Sequence, residues 1–390
     1  MQNNITNKVI GISTFHKLES NKSSAESTKM PQKIKDAYTD ALQSCIICNS
    51  CRYCEGLCAV FPAMEKKREF NLNDIDYLAN LCHQCSECFY DCQYAPPHEF
   101  NVSIPKQFAT IRQESYKKYA FLRPLSVAFE KNALISSLLM LIALCAGFYL
   151  ASRFQVSATH ARGDFYAVIP YNYMVTLFMI VGGFSFVALA IGFVRFGKAI
   201  ELKLPPFEAI KQSIKDTLSL RYLGGHNSEG CTYPNESRSN ARRIYHHLTA
   251  YGFLLCFIAT NLGAIWTHFL DLNAPYDFTQ APKIFGLAGG IMLCLGTLGM
   301  LYLKLISDKD IVDKNSVNMD YALIIMLFLS SFSGLALMAL KASALLAYML
   351  YFHLSTVLVL FIMLPYSKFV HIFYRFIALL KYNTDEHKSA

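Results

Sequence analysis

The sequence predicts a mainly α-helical protein in two parts, a small cysteine-rich cytoplasmic head followed by a six-helix transmembrane bundle. Three observations predict it. Nine of the 13 cysteines crowd between Cys45 and Cys92. Six uncharged runs follow, each near or above the roughly 20 residues that cross a bilayer as helix. Charged residues make up only 16% of the chain, against about 25% in an ordinary soluble domain.

From the N-terminus, residues 1–35 read as a disordered polar tail, rich in Ser, Lys and Glu over 20–28. No apolar leader opens it, so the cysteines that follow are expected in a reducing cytosol, where clustered thiols bind metal more often than they form disulfides. Residues 36–120 form the head, with short helical stretches between the cysteine runs. Residues 130–381 form the membrane domain, with spans at about 133–152, 172–194, 246–270, 284–303, 321–340 and 345–372.

Orientation follows from the basic residues. Lys117, Lys118, Arg123 and Lys131 precede the first span, and Arg195, Lys198, Lys203, Lys211, Lys215, Arg221, Arg242 and Arg243 fill the second connection. Lys304, Lys309 and Lys314 lie in the fourth, and Arg375 and Lys381 follow the last span. The other side has only Arg153, Arg162, Lys283 and Lys341. The positive-inside rule then puts head and C-terminus in the cytoplasm, as an even number of spans requires, with the protein multi-pass in a bacterial inner membrane. The same distribution accounts for the net charge of +8, so no nucleic-acid partner is expected.

The head's chemistry lies in two runs, Cys48, Cys51, Cys54, Cys58 and Cys82, Cys85, Cys88, Cys92, both C-x2-C-x2-C-x3-C and offset by 34 residues. Three thiolates two residues apart can wrap one iron–sulfur cluster on a tight loop, and the fourth points toward a neighbour. In two-cluster ferredoxins that last cysteine ligates the other cluster. The head is therefore expected to be ferredoxin-like and to hold two 4Fe–4S clusters, one on Cys48, Cys51, Cys54 and Cys92, the other on Cys82, Cys85, Cys88 and Cys58. Structural zinc, which pairs two short Cys-x-x-Cys elements per ion or mixes in histidine, fits this repeat poorly. A shifted register on Cys45, Cys48 and Cys51 competes; the one matching the second run is favoured. Proline follows four residues after each run (Pro62, Pro96) instead of directly, a departure from the usual ferredoxin pattern.

Histidines inside apolar spans mark function by default. His353 and His371, 18 residues apart on an expected single last helix, are five whole turns apart and share a face. His246 and His268 on the third span are offset by about 40°, and His247 by about 60°. With the helices antiparallel, His268 would face His353, and His246 or His247 would face His371. That arrangement suits one or two b-type haems held by paired imidazoles, with Arg242, Arg243, Lys368 and Arg375 near the propionates.

Two blocks carry a family resemblance. The first runs from Cys45 through Cys58-Ala-Val-Phe-Pro62-Ala-Met64. The second is Gly230-Cys231-Thr232-Tyr233-Pro234, followed by Arg242-Arg243 and His246-His247-Leu248-Thr249-Ala250-Tyr251-Gly252-Phe253. Over roughly residues 36–380 the chain resembles the tricarballylate utilization protein B (CitB) family. The resemblance implies a membrane electron carrier with two 4Fe–4S clusters and haem. It would reoxidise the reduced flavin of a partner FAD-dependent dehydrogenase, of the type converting tricarballylate to cis-aconitate, and pass the electrons to membrane quinone. That makes the chain an electron-transfer subunit more than a stand-alone enzyme. It has no Gly-x-Gly-x-x-Gly turn after a strand, so the flavin belongs to the partner. Two competing classes are a catalytic membrane subunit like those of heterodisulfide reductases and a redox-sensing transporter.

Overall fold

The computed structural model describes residues 31–153, 165–225, 229–272, 274, 276–313 and 317–389. Most of the expected tail, together with Arg162 and Lys314, lies outside the described residues. Residues 32–35 already belong to the first helix instead of the tail.

Helix α1 (Gln32–Cys51) ends where Arg52 adopts the left-handed conformation, φ 56°, and turns the chain into the first cysteine loop. Helix α2 (Val60–Glu65) follows that loop. Helix α3 (Leu72–Leu81) starts on a capping box in which Asn71 and Asp74 each satisfy the other's backbone amide. Helix α4 (Glu87–Tyr90) is a single turn, and α5 (Ile104–Tyr119) opens with Pro105 where a missing amide hydrogen costs nothing. Tyr38, Leu78, Phe108 and Ile111 bury the facing sides of α1, α3 and α5 in one core. Within it Asp76 of α3 accepts hydrogen bonds from Tyr38 of α1 (2.5 Å) and from Tyr119 (2.7 Å) and Lys118 (3.2 Å) of α5. One carboxylate thus ties three helices.

Helix α6 (Arg123–Lys131) leads into the bundle. Six helices are long and apolar enough to cross a membrane: α7 (Ala133–Arg153), α9 (Tyr171–Ala199), α11 (Ala241–Phe269), α12 (Ala281–Leu305), α13 (Val317–Leu340) and α14 (Leu346–Met363). The short α8 (Phe165–Val168) precedes α9, and α10 (Phe207–Leu218) lies in the second connection. Among the described residues there is no strand, only a bridge between Cys231 and Ser239.

Helices α11 and α12 approach most closely, along glycines. A Cβ on Gly296 would stand 2.5 Å from the amide nitrogen of Thr249, and one on Gly289 would stand 2.8 Å from that of Cys256. In lipid, close backbone approach over small residues replaces the hydrophobic drive that packs helices in water. On the head side of the bundle Asp320 of α13, buried, receives both Lys304 of α12 and Lys368. That pairing meets the cost of an ionisable group within a span.

The last span is not the single helix expected over 345–372. Pro365 has no amide hydrogen to continue the ladder, and Ser367 is extended (φ −95°, ψ 176°) with its hydroxyl capping the amide of Phe369. The chain restarts as α15 (His371–Ser389), which packs on the head: Tyr374, Ile377 and Leu379 share the core of Tyr38 and Phe108. The last apolar helix therefore ends well before 381. Head, second and fourth connections and C-terminus meet on one side. There Arg195 donates to the carbonyl of Ala120 (2.7 Å), and the Tyr90 hydroxyl donates to Asp308 (3.1 Å).

The glycine contact is testable. Replacing Gly289 with Leu should cost about 1–3 kcal/mol by overpacking, read as a lower thermal midpoint in detergent. Gly147→Leu, where a Cβ meets nothing within 4 Å, should leave the midpoint in place. An equal fall in both would contradict the close approach.

Candidate metal centres

Tight turns bring the two cysteine runs against each other. The left-handed residue Arg52 turns the first run. Gln84 (φ 55°) and Ser86 (φ 70°) fold the second back on itself. The runs cross: Cys92 neighbours Cys48, Cys51 and Cys54, while Cys58 neighbours Cys82, Cys85 and Cys88. The eight cysteines thus lie close together, with Cys54 near Cys58 and Cys88 as well. Cys45 is fully buried on the packed face of α1, with Cys48 as its neighbouring thiol.

The two quartets have different surroundings. The first lines a cavity of about 280 Å³ with Phe61, Tyr94 and Ile104, and Cys51 and Tyr53 stand exposed at its edge. In the second, Cys82 is buried and Cys58, Cys85 and Cys88 are half-buried, with Cys88 also lining the first quartet's cavity. Among the described residues no three His, Cys, Asp or Glu side chains converge closely enough to hold a single ion. Burial, reinforced by neighbouring thiols, pushes Cys48, Cys54 and Cys85 up to about 12. Thiols so placed are protonated until metal displaces the protons.

A second layer covers the inner quartet. Cys231, fully buried, lies beside Cys85, and the Thr232 hydroxyl donates to the Cys85 carbonyl (3.3 Å). Gly230 (φ 105°) makes that loop possible, since a Cβ there would come within 2.6 Å of the Ser239 backbone. Three arginines converge on the Cys82–Gln84 backbone. Arg112 donates to the carbonyls of Ala79 (3.1 Å) and Cys82 (2.8 Å) and to Gln84 Oε1 (2.8 Å). Arg375 donates to the Cys82 carbonyl (2.9 Å). Arg242 donates to the Gln84 carbonyl and lies 4.5 Å over the Tyr233 ring. Nothing in the sequence marks Arg112, whose partners lie about 30 residues away; only the block around Cys231 hinted that this loop has a job.

Of the five histidines, one pair meets. The rings of His246 and His371 have centroids 6.1 Å apart with planes at 77°. Two imidazoles on opposite sides of one iron would stand about 6.3 Å apart, from metal–nitrogen bonds near 2.0 Å plus the ring radii. Both rings are half-buried. His371 Nδ1 lies 2.6 Å from the Lys368 carbonyl and donates to it, leaving the Nε2 lone pair for a metal. Burial, then the Arg375 charge, hold the His371 pKa well below its ordinary value, so the ring is neutral, the ligating form.

The outer pair expected between His268 and His353 is absent. His268 is exposed against Phe269, while His353 Nδ1 sits 3.0 Å from the Ser333 hydroxyl on α13. The reason is helix order: α14 packs chiefly on α13 and α7. His247 points away toward the Leu218 carbonyl (3.2 Å) and the Tyr251 ring. Arg243 turns toward Gly224, away from the histidine pair.

Comparison with known proteins covers nearly all of this architecture. Residues 127–390 match the family described as citrate utilization protein B, and residues 41–118 match the citrate utilization protein B Fer4-like domain. Citrate utilization protein B of Escherichia coli is 38% identical over 344 residues, which span 88% of this chain and 91% of the relative. No solved structure matches the chain.

The buried thiols give a direct test in iron-free protein. At pH 8 a thiol of pKa near 12 is ionised only about once in ten thousand molecules, and the thiolate is the nucleophile. Alkylation of Cys48, Cys54 and Cys85 by iodoacetamide should be slow and should rise about tenfold per pH unit. Peptide mass spectrometry reads it, and fast labelling insensitive to pH would contradict their burial.

Proposed function

Because the chain belongs to the citrate utilization protein B family, we propose that it is the membrane electron-transfer partner of a FAD-dependent dehydrogenase of the tricarballylate or citrate-utilisation type. It holds two 4Fe–4S clusters and one b-type haem, reoxidises the partner's reduced flavin and delivers the electrons to membrane quinone. The head and C-terminus then face the cytoplasm of a bacterial inner membrane, where most of the lysines and arginines lie.

The observation that carries this reading is the continuity of the ligand sets. The first quartet reaches solvent at Cys51. The second lies behind it, and Cys58 and Cys92 cross between the runs. The carbonyl of Cys82 accepts Arg375, one turn along α15 from His371, and His371 meets His246 of α11. When bound, these groups supply single-electron carriers between a two-electron flavin and a two-electron quinone.

The chain's own residues have distinct parts. Exposed Tyr53 and Arg52 flank Cys51 and offer a contact face to the partner. Asp320 holds the Lys368 ammonium, and the Lys368 carbonyl holds the His371 ring by its Nδ1–H. Tautomer and ring orientation are therefore set by an ion pair at the bundle's edge.

Iron and haem analysis of anaerobically purified protein tests this. About eight non-haem irons per chain are expected from two four-iron clusters, with one haem. Colourless material containing zinc would overturn it. His246→Ala and His371→Ala should lose the haem in a pyridine haemochrome assay, while His247→Ala and His268→Ala keep it. Full haem in the first two variants would defeat the ligand assignment.

A further inference from the structure

Around the second quartet three arginines outnumber one buried carboxylate, Glu87 beside Cys85, which is itself paired with Arg238. Arg112 is 4% exposed, and the buried Nε atoms of Arg242 and Arg375 have no hydrogen-bond partner. Among the described residues none of the three forms an ion pair with a carboxylate. Asp320, buried within the same region, is taken by Lys304 and Lys368, and Glu114 by Lys117. The arginines instead spend their donors on neutral carbonyls of Ala79, Cys82 and Gln84. Buried cations are retained where something negative offsets them. The first quartet has no such collar: Cys51 meets solvent, and the nearest charges to Cys54 are Asp91 and Glu87, which share Arg238.

Resting on the cluster reading above, we propose that Arg112, Arg242 and Arg375, converging on the Cys82–Gln84 loop, are positioning residues that stabilise the reduced state of the second cluster and so direct electrons inward. Each electron that arrives makes a thiolate-ligated cluster one charge more negative, with no bond formed or broken. It comes from the first cluster and leaves toward the His246–His371 pair. Fixed positive charge in a dry setting favours that extra electron far more than the same charge would in water. Net local charge, hydrogen bonding and solvent exposure are the levers that set cluster potentials. The second cluster is then the stronger acceptor of the two, although the two cysteine runs have the same spacing.

Redox titration of the full chain followed by electron paramagnetic resonance tests the proposal. Cys51→Ser, which disrupts the first quartet, identifies the signal belonging to the second. Arg242→Gln and Arg375→Gln should lower the midpoint potential of that signal alone, and the corresponding Lys variants should stay near wild type. Gln84→Glu is the gentler probe: its carboxylate can keep the bond from Arg112 while neutralising one positive charge. Its cost is the long 3.4 Å bond from Gln84 Nε2 to the Ile311 carbonyl. It should lower the same potential, and neutral Gln84→Met should lower it less. An unmoved second signal in Gln84→Glu with iron content intact, or an equal shift of both signals, would overturn the proposal. Wild-type protein without iron would instead sink the cluster reading beneath it.

Discussion

A polar, cysteine-rich head can be fixed to a lipid-embedded bundle only if the groups at the junction satisfy one another, and here guanidinium-to-carbonyl hydrogen bonds do this. Arg112 comes from the head, Arg242 from the start of α11 and Arg375 from α15. All three bind the backbone over 79–84. That backbone would otherwise bury unpaired carbonyls, each costing about 1–3 kcal/mol. The same bonds fix the second cysteine run relative to His246 and His371, so the joint between domains and the joint between candidate centres are one piece of structure.

Behind this joint lies the Asp320 group. A carboxylate flanked by Lys304 and Lys368 is a partner-dependent arrangement, since removing one member of a buried ion pair typically costs about 3–5 kcal/mol. Its position carries more than stability. Lys368 lies just after the break at Pro365 and Ser367, and its carbonyl receives the His371 ring. The break is what frees His371 from α14 and lets it face α11.

The legible parts of the sequence were those governed by local spacing. The C-x2-C-x2-C-x3-C repeat needs only short loops, so the cysteines that come together were visible in residue intervals, and the spans followed from length and charge. The histidine arithmetic failed where it assumed an unbroken helix and a particular neighbour. Pro365 was visible in the sequence, yet proline within an apolar run kinks some helices and ends others, and only the extended Ser367 decides the case. Helical phase says which face His353 occupies but not which helix lies opposite; that is set by packing, and α13 lies there. His246 met His371 although the reasoning that linked His371 to His353 did not hold. Arg112 and Asp320 left no local signature because each is defined by partners far away in the chain.

The repeat also conceals an asymmetry that only the surroundings reveal. By spacing, the two runs are equivalent, and a symmetric pair of clusters would have no preferred direction for an electron between them. The fold removes that equivalence by placing Cys51 at the solvent edge and covering Cys85 with Thr232, Tyr233 and Ile311. Excluding water on one side lowers the local dielectric there, which magnifies the effect of the arginine charges nearby. The first centre, facing water, is left accessible to a partner. In the proposed electron path, direction would come from what each quartet is buried against.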